Sequence, residues 1–175
     1  MRECKIVSRK FDIPNSHTLE VSKANGGYRT LAKIDEYSPL EIIDIIRESK
    51  LRGKCGGGAP ASAKWVLMPE ESDKPSFLVV NCDESEPGTF KDRQIISKDP
   101  HLLIEGILIT CYAIKAKHAY IYIRGEYKQF QDILQSAGRA LRSSLAGGRS
   151  AGYSTPAVYP IRESQNVNLL CGASL

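Results

Sequence analysis

Cysteine is scarce in this 175-residue sequence, and its placement excludes the structures that cysteine usually builds. The five cysteines are widely separated, and no Cys-x-x-Cys pair occurs among them. The three histidines are equally scattered, so no Cys/His cluster is present. An odd number of distant cysteines argues against a disulfide framework, and the missing cluster argues against a zinc or iron–sulfur site in this chain.

Long apolar segments and a strong charge excess are also missing. The longest apolar stretch, residues 102–114, contains Glu105 and is shorter than the roughly 20 residues that a membrane-spanning helix needs. No apolar run follows Met1, so no secretory signal is visible. The 24 Lys and Arg exceed the 20 Asp and Glu by too little to predict a nucleic-acid-binding face. We expect no membrane insertion and no nucleic-acid partner.

The sequence contains signals for three helices and two strands. Ser38-Pro39-Leu40-Glu41 combines an N-cap, a proline and a capping box, which predicts a helix from Pro39 to near Lys50. Asp99-Pro100 similarly begins a helix of about four to five turns, and residues 127–145 are helical again. The apolar runs 76–81 and 119–124 predict buried strands.

The order strand, helix, strand predicts a βαβ unit, so the fold class is α/β with a partly parallel sheet and a right-handed crossover. Residues 1–37 are polar and mixed, and we interpret them as an irregular N-terminal arm before an α/β domain of residues 38–175. Residues 53–63 are too rich in glycine for a regular element. The segments 82–93 and 146–166 are interpreted as loops.

The glycine-rich segment is the first candidate for a binding site. Gly53, Gly56, Gly57 and Gly58 tolerate positive φ and leave backbone N–H groups open, as an anion-binding nest requires. Basic residues lie on both sides of it: Arg47, Lys50, Arg52, Lys54 and Lys64. The segment is not a Walker A loop, because Ala59-Pro60 stand where Lys and Ser/Thr are required. It predicts a phosphate site, and the alternative is a flexible linker with a solvated basic flank.

The acidic loop after the first strand is the second candidate. Four carboxylates lie within ten positions of that strand's carboxyl end: Asp83, Glu84, Glu86 and Asp92. Parallel sheets bind ligands beyond this end, and carboxylates accept hydrogen bonds from sugar or ribityl hydroxyls. The alternative is an exposed acidic turn paired with Lys91 and Arg93. Together, the two loops predict a nucleotide site with the phosphate at one end and the polyol at the other.

Both loops resemble one known family. Residues 51–65 (LRGKCGGGAPASAKW) are similar to the flavin-binding glycine loop of the NADH-dehydrogenase flavoprotein subunit of respiratory complex I. Residues 81–93 (NCDESEPGTFKDR) match the next signature of that family almost throughout. Residues 99–101, 104–106 and 120–126 continue the agreement in order. The family includes related subunits of NAD-linked hydrogenases and formate dehydrogenases.

The resemblance implies a Rossmann-like flavoprotein that takes hydride from NADH onto FMN and passes electrons to the iron–sulfur centres of a quinone-reducing complex. The residues it assigns to the FMN phosphate and ribityl chain are Gly53, Lys54, Gly56, Gly58 and Lys64. Those it assigns to flavin or ribityl groups are Asn81, Asp83 and Glu84, and Glu86 is assigned to NADH. It implies no catalytic acid or base and no metal ligand in this chain.

The resemblance also implies partners and a location. The partners are other subunits of the complex I peripheral arm, especially a 2Fe–2S thioredoxin-like subunit. The location is the cytoplasm or the mitochondrial matrix, peripheral on the inner membrane through the complex. The chain corresponds to the N-terminal part of the family, so we expect the ubiquitin-like domain and the 4Fe–4S domain to lie outside it.

The sequence departs from the family where stacking on the ligands is expected. Lys54-Cys55 replaces the family's Arg-Gly, and Ala59 and Leu67 stand where the family has aromatic residues. A tyrosine and two glutamates of the family are missing from residues 169–174. We therefore expect this chain alone to bind FMN weakly and to be inactive. The alternatives are a non-catalytic structural subunit that keeps the scaffold and a phosphate- or nucleotide-binding module without turnover.

Overall fold

A computed structural model describes residues 5–53, 57–68, 74–146 and 157–161. The α-helices in this part of the chain are α1 (Leu19–Ala24), α2 (Pro39–Glu48), α3 (Ala61–Trp65), α4 (Lys91–Lys98), α5 (Pro100–Ala113) and α6 (Lys128–Ala146). The strands are β1 (Phe77–Cys82), β2 (His118–Ile123) and β3 (Ala157–Ile161). Short 3-10 turns lie at Val7–Lys10, Leu31–Glu36 and Gly125–Tyr127.

The strands form one parallel sheet in the order β1-β2-β3. The register of the first pair runs from Phe77 opposite His118 to Cys82 opposite Ile123. Helix α5 leads from β1 to β2, helix α6 leads from β2 to β3, and the two helices contact each other on one face of the sheet. Right-handed crossovers produce this arrangement when a chain adds strands in one direction. The predicted α/β class with a parallel sheet and flanking helices is confirmed.

The main core lies between this sheet face and the two long helices. Alternate strand residues point into it: Leu78, Val80, Cys82, Ala119, Ile121 and Ile123. They meet residues of α5 and α6, namely Leu103, Ile107, Cys111, Phe130 and Leu134. Each large apolar side chain that is fully buried contributes about 1.5–3 kcal/mol to stability. The carboxyl ends of β1 and β2, where the acidic loop begins, are therefore held by a well-packed base.

Residues 5–37 are built from short helical turns and pack against α4, α5 and α6. Leu19 and Tyr28 lie in a buried cluster with Ile104 and Leu108 of α5. Ile34 belongs to a second buried cluster with apolar residues of α2 and α5. The predicted N-terminal arm therefore buries apolar side chains of its own, and its separation from residues 38–175 as a distinct unit stays a prediction.

Buried polar side chains also fasten this segment to α5. We call them the N-terminal anchor: Lys10, Ser22, Tyr28, Asp99, His101 and Glu105. Lys10 Nζ lies 2.8 Å from Asp99 Oδ2 and donates to Ser22 Oγ at 3.3 Å. The Tyr28 hydroxyl lies 2.7 Å from His101 Nδ1, and Glu105 accepts the Tyr28 backbone N–H at 2.9 Å. The anchor thus gives each of these buried polar groups a partner, as a stable interior requires.

Burial shifts the pKa of two anchor residues. It lowers the pKa of His101 to about 4, because a buried imidazole is desolvated more severely when charged. It raises the pKa of the Tyr28 hydroxyl well above its usual value, with the carboxylates of Glu105 and Asp99 adding to the shift. At neutral pH a neutral tyrosine therefore hydrogen-bonds to a neutral histidine.

Three elements differ from the sequence prediction. Helix α3 begins at Ala61, inside the segment 53–63 that we interpreted as irregular. Helix α4 begins at Lys91, inside the predicted loop 82–93. Strand β3 lies inside the predicted loop 146–166, because its ladder to β2 stabilises a segment whose proline masks the strand pattern. The other predicted elements are confirmed, with small shifts at their ends.

Candidate functional site

The acidic loop begins where β1 ends, and its own side chains shape its first turn. The Asn81 Oδ1 atom accepts the backbone N–H of Asp83 at 2.8 Å. The Asp83 carboxylate is about one-third exposed and receives a long hydrogen bond from the Ser85 hydroxyl at 3.4 Å. Glu86 is exposed, and its carbonyl accepts the Thr89 N–H at 3.2 Å. The loop therefore presents carboxylate and amide oxygens to solvent on a defined turn.

Glu84 differs from its neighbours because its side chain points into the protein and is only 2% exposed. Its Oε1 accepts the backbone N–H of Asp92 at 2.8 Å, in the first turn of α4. Its Oε2 accepts Arg93 twice, from the backbone N–H at 3.3 Å and from Nε at 2.9 Å. A carboxylate at a helix N-terminus satisfies amides that have no partner within the helix and interacts favourably with the helix dipole. Glu84 thereby fixes the start of α4.

The end of β2 contributes the other half of this arrangement. Arg124 Nη1 donates to the Glu84 carbonyl at 3.4 Å, and Arg124 Nε lies 3.7 Å from Asp83 Oδ1. The Tyr127 hydroxyl donates to the same Glu84 carbonyl at 3.3 Å. The guanidinium of Arg93 lies 5.7 Å from the centre of the Tyr127 ring. We call Glu84, Arg93, Arg124 and Tyr127 the Glu84 clasp, because together they join the turns after β1 and β2 to α4.

The thiol at this edge of the sheet is not available for chemistry. Cys82 is buried at the end of β1, and burial together with the nearby carboxylates of Asp92 and Glu84 raises its pKa to about 12. A thiol with such a pKa stays protonated at neutral pH and is a poor nucleophile. The chemistry of this edge therefore belongs to its oxygen acceptors and its guanidinium groups.

The glycine-rich segment folds back on itself between α2 and α3. Arg52 and Pro60 form an isolated antiparallel bridge, and the N–H of Gly53 donates to the Ala59 carbonyl at 2.8 Å. Arg52 Nε donates to the Gly58 carbonyl at 2.5 Å. Gly58 has φ of +55°, a left-handed conformation that favours glycine. The described residues 51–53 and 58–61 are therefore bonded to each other, which closes the loop at its base, and the Gly53 amide is already engaged there.

The predicted site residues fall into three groups. Asn81, Asp83, Glu84 and Glu86 lie together at the carboxyl end of β1. Gly53, Gly58 and Lys64 belong to the closed glycine loop and to α3, where Lys64 is half-buried. Lys54 and Gly56 lie outside the described residues. The approach of the glycine loop to the acidic loop, and the assignment of every one of these residues to a ligand, stay predictions.

Sequence reasoning named Arg93 only as a basic neighbour that pairs with an acidic turn, a contact that the structure contains. It did not assign Arg124 or Tyr127 to the site. One signal could have identified Arg124. If the two predicted parallel strands are paired in register, the residue after β1 lies beside the residue after β2, which brings Asp83 and Arg124 together. Tyr127 offered no comparable signal, because its hydroxyl meets the Glu84 carbonyl 43 residues earlier in the chain.

The described part of the chain holds no group of three or more His, Cys, Asp or Glu side chains that could bind a metal ion. Nor does any of the described helices combine the length and the apolar character that a membrane span needs.

Comparison with known proteins connects both loops to one family. Residues 46–166 match the family model described as the Nuo51 FMN-binding domain. The chain is 45% identical to the NADH-quinone oxidoreductase F subunit 2 of Rhizobium meliloti over 149 residues, which are 85% of this chain and 34% of that protein. It is 51% identical to the corresponding F subunit of Aquifex aeolicus over 124 residues, covering 71% of this chain and 29% of that protein. The chain thus spans about a third of the length of these relatives.

A solved structure supports the same relationship. The fold is similar to that of a chain in the crystal structure of an NAD+-reducing nickel–iron hydrogenase in the H2-reduced state, with a TM-score of 0.63 and 30% sequence identity. The match covers 75% of this chain and 24% of that one. The resemblance predicted from the glycine and acidic loops is confirmed by these findings. The chain belongs to the Nuo51 FMN-binding domain family.

Proposed function

We propose that this chain provides the FMN- and NADH-binding part of a flavoprotein that oxidises NADH. The observation that carries the proposal is the family match over residues 46–166, which includes both the closed glycine loop and the acidic loop. The geometry of the acidic loop supports it, since Asn81 and Asp83 offer oxygen acceptors above a rigid sheet edge. Such acceptors suit the hydroxyl groups of a ribityl chain.

The proposed roles of the residues follow from the resemblance to the family. Those we assign to the FMN phosphate and ribityl chain are Gly53, Lys54, Gly56, Gly58 and Lys64. Asn81 and Asp83 hold ribityl or flavin groups, and the exposed Glu86 faces NADH. When bound, FMN supplies the acceptor for the hydride of NADH. The task of the protein is to hold the two ring systems together and exclude water, with no side chain acting as acid or base.

The electron acceptors and partners belong to the same proposal. Several relatives are named as the F subunit of NADH-quinone oxidoreductase, a name that designates one part of a larger enzyme. We propose that this chain likewise assembles with other peripheral-arm subunits, especially a 2Fe–2S thioredoxin-like subunit that receives electrons. Its location is then peripheral on the inner membrane, on the cytoplasmic or matrix side.

Flavin titration of the purified 175-residue chain tests the cofactor assignment. We expect FMN to bind with a dissociation constant between about 1 µM and 1 mM, because Ala59 and the 82%-exposed Leu67 provide no aromatic surface for stacking. Riboflavin, which lacks the phosphate, is expected to bind more weakly. If FMN fluorescence stays unchanged up to about 1 mM protein, the cofactor assignment is wrong.

The departures at Ala59 and Leu67 also favour a second candidate, a non-catalytic subunit that keeps the scaffold for assembly. NADH-dependent reduction of ferricyanide distinguishes the two functions when the chain is mixed with its partner subunits. Turnover that requires bound FMN supports the enzyme. Assembly with the partners without flavin binding or turnover supports the structural subunit, and binding of ADP or phosphate without flavin supports a simple phosphate-binding module.

A further inference from the structure

We propose that Glu84 is a positioning residue that sets the conformation of the acidic loop through the Glu84 clasp, and that it does not itself bind the flavin. This inference rests on the proposed function, because the ligand whose affinity the loop controls is FMN. It changes the expected role of one of the carboxylates in the acidic loop. It also identifies Arg93, Arg124 and Tyr127 as contributors to the site.

Both carboxylate oxygens of Glu84 already have hydrogen-bond partners within the protein. Its two carboxylate oxygens accept three N–H donors, two from backbone amides at the start of α4 and one from the Arg93 guanidinium. The side chain is 2% exposed, so a flavin hydroxyl cannot reach it without displacing α4. A buried carboxylate that already has these partners loses favourable interactions if a ligand competes for them.

The backbone carbonyl of Glu84 also contacts the turn after β2. It accepts hydrogen bonds from Arg124 and Tyr127, which both follow β2. The side chain and the backbone of one residue therefore connect the turn after β1 with the nearby start of α4 and with the turn after β2, which lies 40 residues further along the chain. Removing either set of contacts frees the turn between β1 and α4.

Two other carboxylates of the loop, Asp83 and Glu86, are at least partly exposed to solvent. Asp83 lies beside Arg124, and Glu86 is exposed two residues further on. Because the Glu84 side chain is fixed inside the protein, the backbone that carries these two carboxylates has little freedom. A ligand that binds such a preorganised loop does not lose affinity to ordering it.

The first test combines hydrogen exchange with FMN titration in a Glu84→Gln variant. Glutamine keeps the size of the side chain but has one acceptor oxygen and an added N–H2 donor, so at least one donor of α4 loses its partner. We expect the amides of Asp92, Arg93 and Asp83 to exchange about tenfold faster or more, since they open more often. We expect FMN affinity to fall about tenfold in parallel.

A matched control separates loop positioning from general loss of stability. Glu105 is also a buried glutamate that accepts backbone N–H groups, those of Tyr28 at 2.9 Å and Leu31 at 3.4 Å. Its partners lie in the N-terminal segment on α5, and it has no proposed role in FMN binding. The Glu105→Gln variant is expected to unfold more easily while FMN affinity and the exchange of the Asp83 amide match the wild type.

A double-mutant cycle with Arg93→Gln distinguishes positioning from direct ligation. If Glu84 acts through Arg93, each single variant weakens FMN binding. The affinity of the double variant is then within about twofold of the affinity of the weaker single variant. If Glu84 binds the flavin directly, Arg93→Gln has little effect and the Asp83 amide exchanges normally in Glu84→Gln. Either of these last two results overturns the proposal.

Hydrogen exchange tests the role of Glu84 even if the chain does not bind FMN. If the wild-type chain binds no FMN, the proposed function fails, and the exchange of the Asp83 amide still reports whether Glu84 holds the loop. Unchanged exchange at Asp83 in Glu84→Gln then overturns the positioning role by itself. If Glu84→Gln does not fold, Tyr127→Phe removes only the hydroxyl bond to the Glu84 carbonyl, and it is expected to accelerate exchange at Asp83 without unfolding the chain.

Discussion

The N-terminal anchor and the Glu84 clasp both use buried carboxylates, but they surround them differently. In the anchor, the ion pair between Lys10 and Asp99 is enclosed on both sides, with side-chain exposures of 5% and 0%. In the clasp, Glu84 is 2% exposed while its partner Arg93 is 40% exposed. The anchor therefore seals two charges inside the protein, whereas the clasp buries one charge and leaves the other in contact with water.

This difference separates a structural cluster from a candidate site. A sealed pair loses much of its stability when one partner is removed, because the remaining charge is left buried without compensation. A half-exposed arginine recovers hydration when it loses its partner, so the penalty in free energy of unfolding is smaller. The anchor is consequently expected to control stability, and the clasp is expected to control the shape of an exposed loop.

The largest effect is expected when the sealed pair is broken. Asp99→Asn keeps an oxygen for the Leu102 N–H at the start of α5 but leaves the Lys10 ammonium buried without a counter-charge. The free energy of unfolding, measured by urea denaturation, is expected to fall by about 3–5 kcal/mol. The double variant Lys10→Met with Asp99→Asn is expected to recover part of this loss. A single-variant cost below about 1 kcal/mol would mean that water reaches the pair.

The second effect is a pH dependence of stability that arises in the anchor. The pKa of His101 is about 4 in the folded protein, against 6.5 for an unperturbed histidine. As pH falls below 6.5 the unfolded chain binds a proton that the folded chain does not, so stability decreases down to about pH 4 and then levels off. The loss over this whole range is roughly 3 kcal/mol.

The measurement for His101 is the difference between wild type and His101→Gln. Asp99, Lys10, Glu20 and His17 also act on His101, so comparison of the two chains isolates the histidine from the other groups. Urea denaturation between pH 4.5 and 7 is expected to show a smaller pH slope in the variant. Equal slopes would mean that His101 is solvated in the folded protein.

The features that the sequence predicted are those whose interacting residues lie close together in the chain. The helix start at Ser38-Pro39-Leu40-Glu41 is confirmed in detail, since Ser38 and Glu41 exchange both hydrogen bonds of a capping box. The Asp99 cap of α5 is confirmed in the same way. Such signals lie within four residues of one another, so no knowledge of the fold is needed to read them.

Two of the three unpredicted elements depend on contacts with residues outside the element itself. Helix α4 begins where the Glu84 side chain returns to bind its amides, and β3 exists through its ladder to β2. The sequence placed Glu84 correctly in the acidic loop at the end of β1. It could not show which of the adjacent carboxylates turns inward, because this choice is made by the packing of α4 and Tyr127.

A smaller effect is expected from adding an aromatic side chain at the two positions where the family resemblance predicts stacking on the ligand. Leu67 is 82% exposed and Ala59 is exposed, so a phenylalanine fits at either position without steric cost. One stacking partner adds about 0.5–1.5 kcal/mol, so Leu67→Phe or Ala59→Phe is expected to tighten FMN or NADH binding roughly two- to tenfold. Isothermal titration measures the change.

The control for this gain is Leu40→Phe, which adds the same ring at a 58%-exposed position at the start of α2. It is expected to leave ligand affinity unchanged. A similar gain from Leu40→Phe would show that the added ring acts through non-specific contact with the flavin. No gain from either site variant would place both positions away from the ligand.

The smallest effect is expected at Glu86, the exposed carboxylate of the acidic loop. The Glu86→Gln variant removes a charge-assisted acceptor but keeps the size of the side chain, and the Glu86 carbonyl still accepts the Thr89 N–H. Because the charge is exposed, NADH affinity is expected to fall only about two- to fivefold, with stability unchanged. This outcome contrasts with Asp99→Asn, which is expected to change stability strongly. Unchanged NADH affinity in a chain that binds NADH measurably would remove Glu86 from the site and leave Asn81 and Asp83 as the functional oxygens of the loop.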